Sequence, residues 1–383
     1  MIKRIFKITV TVLLILFFNI EVYAKENVEN NGGADYYNEQ YEASGASELS
    51  EFLDENTREY LEKLGCDAAE YDSVLSFSVG SVFNVLLEML RVNVASPLKG
   101  CLTACGAVML VSVCSGFFPD DEKTKGVLNL VCGSFVILSV FMPAAQAVRS
   151  GVSAMKLCAG FEKVLIPVLA AVLTASGNPT VALSYQGAAF AVAQTVEMLA
   201  ENFALPLVFI AGILGAVGAF LPTLKLSVVS DMLRKTTQTV VGTVSGLFAG
   251  FIAIKNVVAG SADNLTAKGV KLATSTFIPV VGGALSEAYS ALSGSLSLLK
   301  SVVGIYGILA VLAICLPSVI TLALWVLAMR VACMVSDLLG NSQCSEILKN
   351  ISYMFSMLNV MLIFSAAVLV ISSGIVASIK TGG

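Results

Sequence analysis

Charged side chains within apolar runs are the residues of this sequence best suited to chemistry, because a charge in hydrocarbon is costly and faces a partner or water. Lys255 lies in the apolar run 251–256 and is the leading candidate for a transport pathway. Snorkelling from a helix end to the membrane surface is the structural alternative for this lysine. Glu197 and Glu201 precede a second apolar run. The small number of ionisable groups near mid-membrane favours a channel component over a self-sufficient transporter, which usually has more of them.

Two aspartates occupy matched positions in a short motif that occurs twice. Asp231 ends the Val-Ser-Asp motif at 229–231, and Asp337 ends a second copy at 335–337. A role in a transport pathway and a plain role at a helix end or in a loop both fit this pattern. We therefore keep the pair as pathway candidates.

The sequence also excludes several kinds of chemistry. It contains no histidine, which removes Ser-His catalysis, histidine metal sites and histidine proton relays. It has no Gly-x4-Gly-Lys-Ser/Thr loop for ATP hydrolysis. Most of the nine cysteines lie in or beside apolar runs, where small apolar packing is their ordinary role. We therefore expect no enzyme activity, no cofactor, no metal and no nucleic-acid partner.

Prolines in or near apolar runs predict broken helices, since each one releases a backbone carbonyl that protein or a water-filled cavity must satisfy. Four prolines have this placement: Pro167, Pro206, Pro279 and Pro317. Gly282 and Gly283 follow the third of them in the same motif copy. We expect these residues to line a paired cavity at the interface of two membrane halves.

Small residues predict close helix packing. Gly242, Gly246 and Gly250 form a Gly-x3-Gly-x3-Gly face, and Gly212 and Gly215 put small residues on another apolar run. Such faces let helix backbones approach closely, either within one bundle or between subunits of a homo-oligomer.

The paired aspartates belong to a longer internal repeat. Three motifs occur twice in the same order, about 110 residues apart: Ile-Pro-Val at 166–168 and 278–280, Leu-Pro-x-Val at 205–208 and 316–319, and Val-Ser-Asp at 229–231 and 335–337. Duplicated membrane halves are typical of transporters and channel-like proteins. We therefore divide the membrane region into repeat 1 at 127–239, repeat 2 at 240–350, and a final transmembrane helix with its tail at 351–383.

Composition independently indicates a membrane protein. Hydrophobic residues make up 56% of the sequence, charged residues only 13%, and mean hydropathy is +0.84, which is more apolar surface than one soluble core can hide. Six apolar runs are long enough, or nearly so, to cross a hydrocarbon core of about 30 Å: 101–118, 127–148, 203–221, 240–258, 303–329 and 351–378. We expect an all-α polytopic membrane protein with six to eight transmembrane helices.

Two further segments, 162–198 and 272–300, contain the Ile-Pro-Val motifs and are ambiguous, because each starts apolar and then turns polar. Each fits a broken helix, a re-entrant hairpin or a full crossing. If these segments cross the membrane, each repeat has three crossings and the two repeats are inverted. If they are re-entrant, each repeat has two crossings and the repeats are parallel. Polar runs such as 176–179 favour broken or re-entrant segments. Lysine and arginine occur in predicted loops of both faces, for example at 149–163, so the positive-inside rule does not orient the chain.

The N-terminal region differs in composition from the rest. A basic start, an apolar run and a small-residue pattern predict a signal peptide removed after Ala24, with an uncleaved first helix as the alternative. Acidic residues dominate the next segment, which predicts a mobile tail and then, from Ser47, a short amphipathic helix exposed outside the membrane. The predicted divisions are a signal peptide at 1–24, an acidic extracytoplasmic segment at 25–72, an amphipathic helix at 73–100 in the interface or against the bundle, and a first transmembrane helix with its loop at 101–126.

The run 271–283, the serine-rich stretch after it and the apolar segment 303–307 resemble the stage III sporulation protein AE family. The resemblance extends over essentially the full length. It implies a permease-like membrane protein of endospore-forming bacteria, placed in the mother-cell membrane that surrounds the forespore. It also implies membership of the SpoIIIA–SpoIIQ complex, a trans-envelope channel needed for late gene expression in the forespore.

The same resemblance implies partners but no substrate and no catalytic residue. The implied partners are the cytoplasmic ATPase and the ring-forming ectodomain proteins of the same operon, SpoIIQ indirectly, and the lipid bilayer. Three functions fit the sequence: the core of a larger channel, a stand-alone secondary transporter, and a non-conducting scaffold for channel assembly.

Overall fold

The computed structural model of the chain describes residues 36–67, 69–75, 79–117, 122–220, 225–259 and 282–378. Every element in these ranges is a helix, and none of the described residues forms a strand. The predicted all-α fold class is therefore confirmed. The predicted signal peptide at 1–24 and Pro279 lie outside the described residues.

Four short helices begin the described chain: α1 (Tyr37–Ala43), α2 (Ser47–Phe52), α3 (Glu55–Lys63) and α4 (Tyr71–Leu75). Tyr37 is fully buried, and its ring centroid lies 6.0 Å from that of Tyr41 and 5.3 Å from that of Tyr71. The predicted mobile tail is therefore wrong for α1, because aromatic rings supply apolar surface that a count of aliphatic residues overlooks. The amphipathic helix predicted from Ser47 is present as α2 and α3, and its Leu49 is fully buried.

The next two helices, α5 (Val79–Asn93) and α6 (Ala95–Phe117), are separated from each other by Val94 alone. Val82, Val85 and Met89 of α5 are buried, and their spacing of three and four residues puts them on one helix face. The stretch predicted at 73–100 to lie in the interface or on the bundle therefore packs on the bundle.

The remaining helices are longer: α7 (Glu122–Ala175), α8 (Pro179–Met198), α9 (Leu205–Phe220), α10 (Leu226–Ala259), α11 (Gly282–Leu338) and α12 (Ser342–Ser378), with a π-helical turn (Leu199–Ala204) between α8 and α9. α7 has 54 residues and α11 has 57. At a rise of 1.5 Å per residue each is about 80 Å long, more than twice the hydrocarbon thickness. Both helices therefore extend well beyond a single crossing.

The loop predicted at 149–163 is instead the middle of α7, which corrects the sequence analysis. Its two glycines serve close packing and not a turn. A Cβ on Gly160 would lie 2.5 Å from the Phe52 ring, and a Cβ on Gly151 would lie 3.0 Å from Leu322. The predicted span at 127–148 and the first Ile-Pro-Val motif are consequently parts of one continuous helix.

Five helical stretches within the described ranges are long and apolar enough to cross a membrane: Gly80–Phe117, Ala144–Ala175, Pro179–Ala219, Leu292–Leu338 and Ser342–Ile371. The chain is therefore a multi-pass membrane protein. Residues 244–259, which include most of the predicted span at 240–258, have a described helical backbone but no described side chains.

α11 forms the centre of the bundle. It makes an antiparallel hairpin with α12, and it also runs antiparallel to α7, since Gly307 packs against Leu165 while Ser318 Oγ lies 3.1 Å from Ser150 Oγ. Two ends can be distinguished. At the Val-Ser-Asp end, α11 ends and α12 begins. At the N-terminal-helix end, α7 ends and α1 to α4 pack near the start of α11, where Ser295 Oγ donates to Gln40 Oε1 (2.8 Å).

Candidate functional site

The two Val-Ser-Asp copies make matching hydrogen bonds. Ser230, early in α10, donates from Oγ to the carbonyl oxygen of Ala211 at 2.6 Å. Ser336, in the last turn of α11, donates from Oγ to the carbonyl oxygen of Asn341 at 2.7 Å. Both serines are buried. Each copy therefore ties its helix to the segment beside it through the same buried hydroxyl.

The matched aspartates each pair with a cation. Arg234 Nη1 lies 3.6 Å from Asp231 Oδ1, and Lys349 Nζ lies 3.6 Å from Asp337 Oδ2. The side chains of Asp231 and Asp337 are 65% and 52% exposed. Both acids therefore face outward from the bundle with a basic side chain within reach.

α12 brings the two copies together at the Val-Ser-Asp end. Lys349 pairs with Asp337, and the next residue, Asn350, accepts a hydrogen bond at Oδ1 from Arg234 Nη2. Neighbouring residues of one helix thus contact both copies. Inverted halves would place the copies at opposite ends, so this geometry fits the parallel alternative. The repeat boundaries themselves stay a prediction.

Arg234 is the centre of the first copy. Its guanidinium carbon lies 4.5 Å from the centroid of the Tyr353 ring, and the Tyr353 hydroxyl donates to the Arg234 carbonyl oxygen at 3.2 Å. A cation over an aromatic face is attracted by the ring quadrupole. On the other side, Asn350 fills the space above Gly215, where a Cβ would lie 2.7 Å from Asn350 Cγ.

Arg234 was not singled out by the sequence analysis. The signal that could have found it is its spacing, since Arg234 follows Asp231 by three residues and such pairs face each other on a helix. The contacts with Asn350 and Tyr353 carry no such signal, because more than 100 residues separate these partners from Arg234.

The first Ile-Pro-Val segment breaks where the sequence predicts. Pro167 lies inside α7, which continues to Ala175. A turn follows, in which Gly177 adopts φ +80°, a conformation that glycine reaches without strain. α8 then starts at Pro179, the favoured first position of a helix. The predicted interruption at 176–179 is therefore confirmed.

The second Ile-Pro-Val segment behaves differently. Gly282 and Gly283 are the first described residues of α11, and the serine-rich stretch after them continues as helix without a break. Serines can remain in a helix by donating to a carbonyl one turn earlier, as Ser301 does to Ser297 at 3.0 Å. The described part of the second segment thus lacks the interruption of the first, although the two share a sequence pattern.

The two Leu-Pro prolines are accommodated in different ways. Pro206 is the second residue of α9 and follows closely on the π-helical turn that ends at Ala204. Such a turn is a local widening that is often found where regular helix hydrogen bonding fails. Pro317 lies inside α11, and Thr321 bonds to its carbonyl oxygen. Thr321 Oγ1 lies 2.8 Å from the Pro317 carbonyl oxygen and 3.0 Å from Asn93 Oδ1. Polar side chains of the protein therefore bond to the helix turn that follows this proline.

The paired cavity stays a prediction, because Pro279 and the side-chain surroundings of Gly282 and Gly283 lie outside the described part of the chain. Among the described residues, a groove of about 700 Å³ opens on α10 beside Asp231, and it is lined by Val228, Asp231, Met232, Lys235, Thr236, Thr239 and Val240. It lies at the Val-Ser-Asp end, next to the first copy.

The remaining candidates are placed only in part. Lys255, Gly246 and Gly250 belong to α10, and their side-chain surroundings lie outside the described part of the structure. Gly242 has no described neighbour within 4 Å of an added Cβ, whereas such an atom on Gly212 would collide with Met354. Close packing is thus observed on α9, and the predicted packing face of α10 stays a prediction.

Comparison with known proteins identifies the family. The sequence profile of stage III sporulation protein AE matches residues 70–380. The chain belongs to this family. A relative, the stage III sporulation protein AE of Bacillus subtilis (strain 168), is 26% identical over 272 residues, which cover 70% of this chain and 68% of the relative. No solved structure is similar. Membership of the stage III sporulation protein AE family implies a role in sporulation.

Proposed function

We propose that this chain is a permease-like membrane component of the SpoIIIA–SpoIIQ trans-envelope channel, which links mother cell and forespore and is needed for late gene expression in the forespore. Family membership and the multi-pass helical fold support the proposal. The observation that carries it is the pair of Val-Ser-Asp copies, which present Asp231 and Asp337 at one end of the bundle. Two outward-facing acids at the Val-Ser-Asp end, each paired with a cation, fit the entrance of a conducting path.

The proposal includes a location and partners. The protein resides in the mother-cell membrane around the forespore, and it assembles there with the cytoplasmic ATPase and the ring-forming ectodomain proteins of its operon, and indirectly with SpoIIQ. It has no catalytic role of its own, so the ATPase supplies the energy. A homo-oligomer within the complex is compatible with this arrangement.

A scaffold without conduction is the second candidate, and the N-terminal helices favour it. α1 and α2 are fixed to the bundle and carry exposed acids on their outer surface, among them Glu39, Glu42 and Glu48. Such a surface suits docking of a basic partner. A stand-alone transporter has less support, because Glu197 and Glu201 already pair with Lys163 and Lys156.

The decisive experiment replaces the chromosomal gene of a sporulating host with the double variant Asp231→Asn and Asp337→Asn. We expect loss of a late forespore reporter, while co-purification with the ATPase partner is unchanged. Glu62→Gln, at an exposed acid of α3 that has no proposed role, serves as the control and keeps the reporter active. Loss of co-purification would support the scaffold function, and an unchanged reporter would contradict a conducting role for the two acids.

A further inference from the structure

Glu162 is a buried carboxyl inside a membrane-spanning helix. It lies in α7 within the candidate span Ala144–Ala175 and is only 5% exposed. No described residue donates a hydrogen bond to it, although buried carboxylates ordinarily have such donors. A carboxylate in this environment is costly unless it is paired or takes up a proton. Sequence reasoning did not single out this residue, because it lies in the stretch that was interpreted as a loop.

The surroundings of Glu162 contain few groups that could neutralise it. On the α8 side the facing charges are Lys163 and Glu197, whose Nζ and Oε2 atoms are 3.0 Å apart, so the lysine is already paired. One turn earlier on α7, Cys158 contacts Cys315 of α11 and Ser365 of α12 through its side chain. Thiols are soft, weak hydrogen-bonding groups and give a carboxylate little support.

The same surroundings argue against a metal cation as the neutralising ligand. Hard cations bind several oxygen atoms at once. The side chains around Cys158 offer two sulfur atoms and one hydroxyl, and the facing carboxylate of Glu197 is already paired with Lys163. No group of three or more metal-ligating side chains occurs among the residues that the structure describes. A proton needs a single oxygen atom, and it converts the costly carboxylate into a neutral group.

Charged side chains lie on one side of Glu162. Lys163 with Glu197, and Lys156 with Glu201 at 3.9 Å, form two ion pairs between α7 and the helical segment after it. Lys156 and Lys163 are 64% and 46% exposed, so this charged face reaches solvent or the lipid headgroups. Glu162 lies directly behind it, next to Lys163 in sequence.

We propose that Glu162 is a reversible proton-binding site in the membrane interior, which exchanges its proton along the charged face between α7 and α8. The ligand is the proton itself: the carboxylate and a proton combine to the neutral acid, and the reverse step releases the proton towards Glu197. This assignment is independent of the proposed channel function, since it concerns the chemistry of one carboxyl group.

Dicyclohexylcarbodiimide tests the proposal, because this apolar reagent converts protonated carboxyl groups in membranes into stable adducts. The full chain in lipid nanodiscs is treated from about pH 5 to about pH 9, and adducts are located by mass spectrometry of peptides. We expect an adduct on Glu162 at about tenfold or greater yield than on Glu197 or Glu201, falling as the pH rises. Glu162→Gln removes this adduct and leaves the other two unchanged.

Two results would overturn the proposal. An adduct yield on Glu162 no greater than that on the paired Glu197 would show that it is not held as a neutral acid. A yield that sodium ions suppress at constant pH would show a cation site instead. Both readouts are chemical, so they are obtained whether or not the sporulation phenotype supports the channel function.

Discussion

The two Val-Ser-Asp copies use the same residues in different surroundings. In each copy a buried serine donates to a neighbouring carbonyl oxygen, and the aspartate has a cation at 3.6 Å. In the first copy the cation, Arg234, is 17% exposed and lies over the Tyr353 ring. In the second copy the cation, Lys349, is 59% exposed. Packing therefore stabilises the first copy, whereas the charge pair of the second is screened by solvent.

The largest expected effect is that of Arg234→Met, which keeps much of the apolar stem but removes the guanidinium. It deletes the contact with the Tyr353 ring and leaves Asn350 Oδ1 without its donor. We expect the free energy of unfolding to fall by about 2–3 kcal/mol, measured by denaturant titration in detergent micelles. An effect below that of the matched Lys349→Met variant would contradict the asymmetry between the copies.

The next effect concerns the helix contact behind Arg234. Gly215→Ala puts a Cβ about 2.7 Å from Asn350 Cγ, so Asn350 must move, and we expect a loss of about 1–3 kcal/mol. Gly242→Ala is the matched control, because an added Cβ there meets no described neighbour within 4 Å. This control should be neutral, or more stable by about 0.5–1 kcal/mol through helix propensity. Equal losses in both variants would show that the contact with Asn350 is unimportant.

The serines test what the two copies share. Ser230→Ala and Ser336→Ala each remove one buried hydroxyl that donates to a carbonyl oxygen. We expect similar losses of about 1 kcal/mol for the two variants, measured by the same titration. A loss in only one of them would mean that the copies are not structurally matched at this position.

The smallest effect should follow from Lys349→Met. Both partners of its ion pair are more than half exposed, and such pairs contribute about 0–1 kcal/mol. The titration should therefore show little change, and raising the salt concentration should remove what remains of it. A loss of stability comparable to that of Arg234→Met would show that the ion pair of the second copy contributes as much as the contacts of Arg234 in the first.

Sequence patterns predicted local features well. The all-α membrane fold follows from the apolar runs, and the break after α7 follows from Gly177 and Pro179, which favour a turn and a helix start respectively. The matched aspartates were also found, because the motif is local. These features depend only on residues close together in the chain.

Features that depend on distant residues were not predicted. Gly151 and Gly160 were assigned to a loop, but their partners Leu322 and Phe52 make them packing positions within a helix. The roles of Arg234 and the burial of Glu162 likewise arise only when the helices assemble. The N-terminal helix α1 was missed because its stability comes from aromatic contacts and not from an aliphatic pattern.

The central claim is that the two Val-Ser-Asp copies lie at the same end of the bundle and hence on the same side of the membrane. Met232 and Leu338, which follow the two aspartates, are 70% and 86% exposed. Single cysteines at these positions, in an otherwise cysteine-free chain, should both react with a membrane-impermeant maleimide when it is added to one side, and neither should react from the other side. Labelling of the two positions from opposite sides would contradict the account.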